Sequence, residues 1–133
     1  MESSLIDLSK YRLDTAKSDL NVAKLLFDAK EFRSSVNRSY YSIFHALRAV
    51  LALDRFDSSK HSGIIAYFNE NYVKIGIFEK SISKAISTAF KLREKSDYQD
   101  FYIVSQEEAA LQINKAEEVI AAIEQYLNNK WTE

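Results

Sequence analysis

The chain contains no proline and only two glycines, Gly63 and Gly76, in 133 residues. Proline and glycine supply many of the tight turns that β-rich folds need, so their scarcity disfavours a fold of many short strands. Alanine, leucine, lysine and glutamate are abundant, and these residues favour helices. The sequence therefore predicts an all-α fold.

Apolar residues recur at intervals of three and four along five segments, which is the spacing of one helix face. The pattern predicts helices over about 6–30, 32–54, 60–73, 77–95 and 105–129. The second segment has the broadest apolar stripe, so we expect it to be covered on more than one side at the centre of the fold. The third helix is the shortest.

Local signals mark several of the helix ends. Ser105 followed by Glu108 has capping-box spacing and predicts the start of the last helix, while Gly76 is a predicted stop for the third. The mixed segment 96–104 is predicted to be a loop. Five amphipathic helices with short connections are best buried as an up-and-down bundle of four long helices plus a shorter fifth, in one domain over residues 1–133.

Composition narrows the possible functions. The formal net charge is −1, so nucleic-acid binding would need a local basic patch. There is no cysteine, which excludes disulfides, thiolate catalysis and zinc sites with cysteine ligands. No apolar run approaches the length of a membrane helix, about 18 residues, and the N-terminus lacks a signal pattern. We therefore expect a cytoplasmic protein that does not contact a membrane.

The motifs of familiar catalytic and metal sites are missing from the sequence. The Glu-x-x-His pattern of di-iron bundles is absent, because Ser42 and Ser58 stand three residues before the histidines His45 and His61. The HExxH, Walker, GxSxG and dinucleotide-binding patterns are absent as well. We expect no metal and no cofactor.

Arg93 continues the apolar stripe of the fourth predicted helix, four residues after Ala89. A buried arginine needs a partner or a functional cleft, because the loss of its hydration is unfavourable. Asp97 follows one helical turn later and is the expected partner. Two interpretations stay open: a structural ion pair at a helix end, or part of a binding site.

A polar and aromatic seam follows the second predicted helix beside its apolar stripe, formed by Arg38, Tyr41, His45 and Arg48. Positive side chains bind phosphate and aromatic rings stack on bases, so the seam predicts an RNA or nucleotide site. The alternative is the ordinary flank of an amphipathic helix. His45 could also transfer protons near neutral pH, whereas we expect His61 to be a surface or capping residue.

Three segments follow one another in the order NRSYYSIFHALRAVL, KHSGIIAYF and KLREKSDY, beginning at Asn37, Lys60 and Lys91. Together they resemble the HEPN domain family, in particular its small stand-alone bacterial and archaeal members, over nearly the whole chain. The resemblance implies a helical bundle that often forms a homodimer and is often encoded beside a minimal nucleotidyltransferase in a toxin–antitoxin pair. Some members of the family cut RNA.

In those RNA-cutting members, an arginine followed after four to six residues by a histidine meets its symmetry mate at the dimer interface. The resemblance places the arginine on Arg93. The three positions eligible for the histidine hold Tyr98, Gln99 and Asp100. The family histidine is therefore missing, and a tyrosine, with a pKa of about 10, is a poor general base near neutral pH.

The candidate catalytic residues are then Arg93, Asp97 and Tyr98, with His45 as a further substitute for the histidine. The family tyrosine that the partner nucleotidyltransferase modifies in some pairs falls on Asp100, so it is missing too. Modification of Tyr98 is an analogy only.

Three functions stay open at this point. The first is a dimeric HEPN protein that pairs with a nucleotidyltransferase antitoxin and binds RNA or a nucleotide around Arg93. The second is an active, metal-independent ribonuclease toxin, and the third is a non-catalytic interaction module. The missing histidine favours the first.

Overall fold

The computed structural model describes residues 2–133 as five α-helices with short connections. They are α1 (Ser3–Asp28), α2 (Phe32–Leu53), α3 (His61–Phe68), α4 (Lys80–Tyr98) and α5 (Gln106–Trp131). A π-helical turn, Asn69–Val73, extends α3. There is no strand within residues 2–133, and the predicted all-α bundle is confirmed.

Two of the predicted helix ends are confirmed in detail. Ser105 Oγ accepts a hydrogen bond from the Glu108 N–H at 3.0 Å, and Glu108 Oε1 accepts one from the Ser105 N–H at 3.0 Å. This is a complete capping box at the start of α5. Gly76 lies in the turn after the π-helical segment with a φ of 90°, a left-handed conformation that favours glycine.

The predicted bounds of the fourth helix are wrong at both ends. The helix was expected over 77–95, but α4 begins at Lys80 and ends at Tyr98. Phe78 belongs to the preceding turn and is buried there, with its ring centroid 5.2 Å from that of Phe68. Apolar spacing reports burial and not backbone conformation, so a buried turn residue was assigned to the helix.

The segment 96–104, predicted to be a loop, therefore starts as helix. Asp97 pairs with Arg93 one turn earlier, and Ser96 is fully buried with its hydroxyl donating to the Arg93 carbonyl at 3.0 Å. These contacts extend α4 by one turn and leave a short loop before Ser105. The extension brings Asp97 onto the same helical face as Arg93.

The central position predicted for α2 is confirmed. It packs against α1, α3, α4 and α5, and its buried residues lie on more than one side of the helix. Ser9 ties the first and last helices to it, because its hydroxyl donates to the Ala49 carbonyl at 2.7 Å and accepts from Trp131 Nε1 at 3.0 Å. Within residues 2–133, no helix is both long enough and apolar enough to span a membrane.

Candidate RNA or nucleotide site

Arg93 is buried where α4 packs on α2. Its side chain is only 10% exposed, and Nε lies 3.3 Å from Asp97 Oδ2, so the predicted ion pair is present. The guanidinium carbon lies 5.0 Å from the ring centroid of Tyr40 and 5.6 Å from that of Tyr41. The cation is therefore held against two aromatic rings as well as a carboxylate.

The hydrogen-bonding capacity of Arg93 is not used up by these contacts. Nε makes no hydrogen bond of good geometry, although it faces Asp97, and Nη1 is 3.7 Å from Glu94 Oε1. A buried guanidinium with free N–H groups is unfavourable unless an anion completes its surroundings. The arrangement leaves Arg93 able to donate to an incoming anion.

Tyr41 is the centre of a cationic and aromatic cluster on α2. The guanidinium carbon of Arg38 lies 4.8 Å from its ring centroid, so Tyr41 has Arg38 and Arg93 both close to its ring. The Tyr40 ring meets it edge-on at 5.1 Å. Adjacent tyrosines on one helix point in different directions, and here Tyr40 is buried while Tyr41 is partly exposed.

Two shallow depressions open beside this cluster. The Arg38 depression, about 480 Å³, is lined by Leu26, Arg33, Ser34, Asn37, Arg38 and Asp97. The Arg93 depression, about 320 Å³, is lined by Tyr41, His61, Ser62, Phe90, Arg93 and Glu94. Each member of the Arg93–Asp97 pair lines one depression, so the pair separates two neighbouring hollows that carry positive groups.

His45 and Arg38 share a carboxylate from α1. Arg38 Nη1 is 3.3 Å from Asp19 Oδ1, and His45 Nε2 is 3.6 Å from Asp19 Oδ2. Burial lowers the pKa of His45, with Arg48 and Arg38 acting in the same direction and Asp19 opposing them. His45 therefore faces Asp19 on α1 and does not line the Arg93 depression.

Two of the predicted residues lie apart from the Arg93–Tyr41 cluster. Arg48 Nη2 donates to Asp57 Oδ2 at 3.0 Å, and Arg12 approaches the same oxygen at 3.6 Å, so Arg48 is engaged in an ion-pair network in front of α3. Tyr98, at the end of α4, is 73% exposed and lines neither depression. The structure thus brings together Arg38, Tyr41, Arg93 and Asp97.

His61 was predicted to be a surface or capping residue; it is partly exposed at the first residue of α3, but it forms no cap and its ring packs against α2. Its ring stacks on Phe44 with centroids 4.0 Å apart, and Nδ1 lies 2.7 Å from the Tyr40 hydroxyl. It also lines the Arg93 depression. The one sequence signal was indirect: Tyr40 lies on the buried stripe of α2, and a buried phenol needs a hydrogen-bond partner.

The surroundings of Tyr40 and His61 shift both groups toward their neutral forms. Burial raises the pKa of Tyr40 well above its usual range, so the phenol keeps its proton. Burial also lowers the pKa of His61, and the positive charges of Arg93 and Arg48 lower it further while Glu94 opposes them. Near neutral pH the pair is a neutral phenol bonded to a neutral imidazole.

Gly63 brings the start of α3 close to the preceding loop. A Cβ atom at this position would lie 2.6 Å from Ser58 Oγ, well inside contact distance. Ser58 Oγ is itself held in place, because it accepts a hydrogen bond from the Lys60 N–H at 3.2 Å. Among residues 2–133, no group of three or more His, Cys, Asp or Glu side chains is placed to hold a metal ion.

The sequence is similar to a known protein family and to several individual proteins. A sequence model of the HEPN domain matches residues 9–126. A UPF0332 protein of Thermotoga maritima is 35% identical over 114 residues, which is 86% of this chain and 86% of that protein. Two Methanocaldococcus jannaschii proteins are also similar. "Putative toxin MJ0605" is 36% identical over 65% of this chain and 64% of its own length. "Putative toxin MJ0142" is 25% identical over 89% of this chain and 80% of its own length.

Proposed function

The chain belongs to the HEPN family, and on that premise we propose that it is the HEPN member of a toxin–antitoxin-like pair with a nucleotidyltransferase. In this role it binds RNA or a nucleotide around Arg93. The toxin names carried by two relatives support the first part of the proposal. The chemistry of the cluster around Arg93 supports the second.

The observation that carries the binding proposal is the buried cation of Arg93 held on two tyrosine rings beside an open depression. Phosphate oxygens need positive donors, and unpaired bases need flat apolar partners. The Arg93 depression offers the guanidinium together with the rings of Tyr41 and Phe90. Arg38, on Tyr41, adds a second cation within reach of the same strand.

The charge distribution favours a small number of phosphate contacts. Arg33 donates to the carbonyls of Ser96 and Tyr102, and Arg48 is paired with Asp57. Arg38 and Arg93 remain: each lines one of the two depressions, and each guanidinium lies close to the ring of Tyr41. We therefore propose a short single-stranded segment or a nucleotide as the ligand, bound with a modest dependence on salt.

The proposal includes a homodimer and a nucleotidyltransferase partner, as the family resemblance implies. A toxin needs an antitoxin to be harmless in its own cell, which agrees with a partner protein. An active ribonuclease is the second candidate function, and the imidazole of His61 in the Arg93 depression is the observation that favours it.

The test is RNA binding by wild type and Arg93→Ala, measured by fluorescence anisotropy with a labelled single-stranded oligonucleotide over a range of salt concentrations. We expect Arg93→Ala to weaken binding about tenfold or more and to reduce the salt slope by about one, the effect of losing one phosphate contact. Arg55→Ala is the control, because Arg55 is an exposed arginine that pairs with Glu2.

Unchanged binding in Arg93→Ala would contradict the proposed site. If that variant melts at a lower temperature and neither protein binds RNA or nucleotide, Arg93 has the purely structural role of an interaction module. Arg93→Lys separates charge from shape, since lysine keeps the positive charge and loses the planar fork.

A further inference from the structure

We propose that a groove between α4 and α5 binds an extended acidic segment of a partner protein. This α4–α5 groove, about 320 Å³, is lined by residues of α4 within 88–95, by residues of α5 within 108–112 and by Tyr102 of the connecting loop. It shares no lining residue with the Arg38 depression or the Arg93 depression. This second site goes beyond the proposed binding of RNA or a nucleotide.

A buried amide without a partner lines the α4–α5 groove. Gln112 is only 3% exposed, and its Oε1 has no hydrogen-bond partner within residues 2–133. An unpaired buried polar group is unfavourable, so its presence in a groove indicates a ligand that completes its hydrogen bonds. The terminal torsion of glutamine is broad and roughly two-fold, so either amide atom can turn toward a ligand. A peptide group, with one N–H and one C=O, matches the acceptor and the donor of this amide.

Two free cations lie along one side of the groove. Lys91 and Lys95 are exposed and stand one helical turn apart on the same face of α4. The ion pairs made by α4 are those of Arg93, and neither lysine forms one within residues 2–133. Side chains four residues apart on a helix have their Cβ atoms about 5–6 Å from each other, so both ammonium groups can reach one carboxylate.

The acidic residue that lines the groove is already engaged. Glu108 Oε1 accepts from the Ser105 N–H at 3.0 Å, and Glu108 Oε2 accepts from the Tyr102 hydroxyl at 2.9 Å. The bond from the Ser105 N–H, assisted by that from Tyr102, holds the pKa of Glu108 below its usual range. Two lysines against one glutamate leave the groove with a net positive charge. Electrostatic complementarity therefore favours an acidic ligand.

The apolar surroundings of the groove favour a polypeptide over a small molecule. Leu92 and Leu111 line the groove, and Leu111 is 50% exposed. On either side of Tyr102 in the sequence, Phe101 and Ile103 are 98% and 84% exposed. Clusters of large exposed apolar side chains are typical of protein–protein contacts. A chain that continues out of the groove covers Phe101 and Ile103, whereas a small ligand leaves them in water.

The length of the groove fits about three extended residues. Thr88 and Lys95 are seven residues apart on α4, which corresponds to about 10 Å along the helix axis. An extended chain advances about 3.3 Å per residue. The expected segment therefore has an acidic residue at the two lysines, a backbone amide at Gln112 and an aliphatic side chain at the two leucines.

The experiment is an NMR titration of the isotope-labelled full chain with a synthetic peptide, acetyl-Gly-Glu-Val-Glu-Gly-amide. The matched probe has glutamine in place of both glutamates. We expect the acidic peptide to shift the side-chain amide signal of Gln112 and the backbone signals of Leu92 and Leu111. It should bind at least about threefold more tightly than the uncharged peptide, because exposed ion pairs each contribute modestly.

Variants separate the charged contact from the amide contact. Lys91→Gln/Lys95→Gln should bind the acidic peptide no better than the uncharged one. Lys30→Gln/Lys74→Gln is the matched control, because these two exposed lysines lie outside the groove. Gln112→Leu should weaken the binding of both peptides about fivefold, the effect of one hydrogen bond. Its melting temperature should not fall, because the Oε1 atom that it removes is unpaired in the free chain.

Several outcomes would overturn the proposal. The groove is not a peptide site if the acidic peptide at millimolar concentration shifts none of these signals, or if it binds the wild type and Lys91→Gln/Lys95→Gln equally. A Gln112→Leu variant that melts at a lower temperature and binds both peptides normally would show that Gln112 only stabilises the fold.

Two other occupants are tested in the same experiment. If a single-stranded RNA oligonucleotide shifts the Gln112 signal and the peptide does not, the groove is part of a nucleic-acid surface and the peptide assignment is wrong. If the same signals move when the chain alone is diluted, a second copy of the chain occupies the groove. RNA binding that depends on Arg93 is measured separately, and we expect Lys91→Gln/Lys95→Gln to retain it.

Discussion

Two polar side chains near the α2–α4 contact, Arg93 and His61, are partnered by aromatic rings as much as by polar groups. Arg93 rests against Tyr40 and Tyr41, and His61 stacks on Phe44 and bonds to Tyr40. An aromatic face attracts a cation without neutralising it, so the guanidinium keeps its charge for a ligand. A full complement of carboxylates would have stabilised Arg93 at the expense of its affinity for phosphate.

The two histidines give a pH prediction at the scale of single residues. The pKa values of His45 and His61 are lowered in the folded protein, mainly by burial. The unfolded chain therefore binds more protons than the folded one in the range where histidine titrates. Their contribution to stability is complete above about pH 6.5 and is lost as pH falls through the histidine range.

The measurement is urea unfolding of the full chain at about pH 7.5 and at about pH 5.5, a range that avoids carboxylate titration. We expect a lower free energy of unfolding at the acidic pH. The double variant His45→Asn/His61→Asn should show a smaller difference between the two conditions. An equal difference in both proteins would mean that other groups carry the pH dependence.

At the scale of secondary-structure elements, the short helix α3 contributes His61 and Ser62 to the lining of the Arg93 depression. It is eight residues long, and its first residue is His61. Gly63, two residues after His61, lies so close to Ser58 in the preceding loop that an added Cβ would be 2.6 Å from Ser58 Oγ, while His61 bonds to Tyr40 of α2. A short helix at the end of a loop can bring a distant side chain to a groove between two long helices.

Gly63→Ala tests this close approach. Replacing glycine by alanine inside a helix normally stabilises a protein by about 0.5–1 kcal/mol. Here the new Cβ would meet Ser58 Oγ at 2.6 Å, so we expect a loss of about 1 kcal/mol or more in chemical unfolding. The double variant Gly63→Ala/Ser58→Gly removes the obstructing hydroxyl and should recover most of the loss. A more stable single variant would refute the steric explanation.

The helices also show where sequence reasoning succeeds. The capping box of α5 and the Arg93–Asp97 pair were both predicted, because each depends on residues three or four apart on one helix. The start of α4 was not, because Phe78 is buried in a turn and buried turns share the apolar character of a helix face. The spacing of apolar residues predicts which face of a helix is buried. It does not predict the first residue of the helix, because that depends on the backbone conformation of the preceding turn.

At the scale of the whole molecule, the balanced charge limits how the protein can act on nucleic acid. A net charge of −1 gives no general attraction to RNA, so the RNA binding that we propose would depend on the two depressions beside Tyr41. Such a protein is suited to a local encounter with a short accessible segment. It is poorly suited to coating long strands.

A toxin function predicts an effect in cells. Expression of the wild-type chain alone should arrest bacterial growth, and Arg93→Ala should restore growth at an equal protein level. Arg55→Ala should stay toxic, because Arg55 is exposed and pairs with Glu2 away from the proposed site. Growth curves with immunoblots of the expressed protein provide the measurement. Normal growth under wild-type expression would exclude an autonomous toxin, while in vitro RNA binding is judged separately.

The sequence by itself determined the all-α class, the number of helices, the central place of α2 and the pairing of Arg93 with Asp97 on the same helix. Only the tertiary structure decided that His61 meets Tyr40 across 21 residues of chain, and that Asp19 of α1 lies beside both Arg38 and His45. The physical reason is that spacing fixes neighbours within one helix. The rotation and crossing of different helices follow from how their large side chains pack, and this determines which polar groups meet.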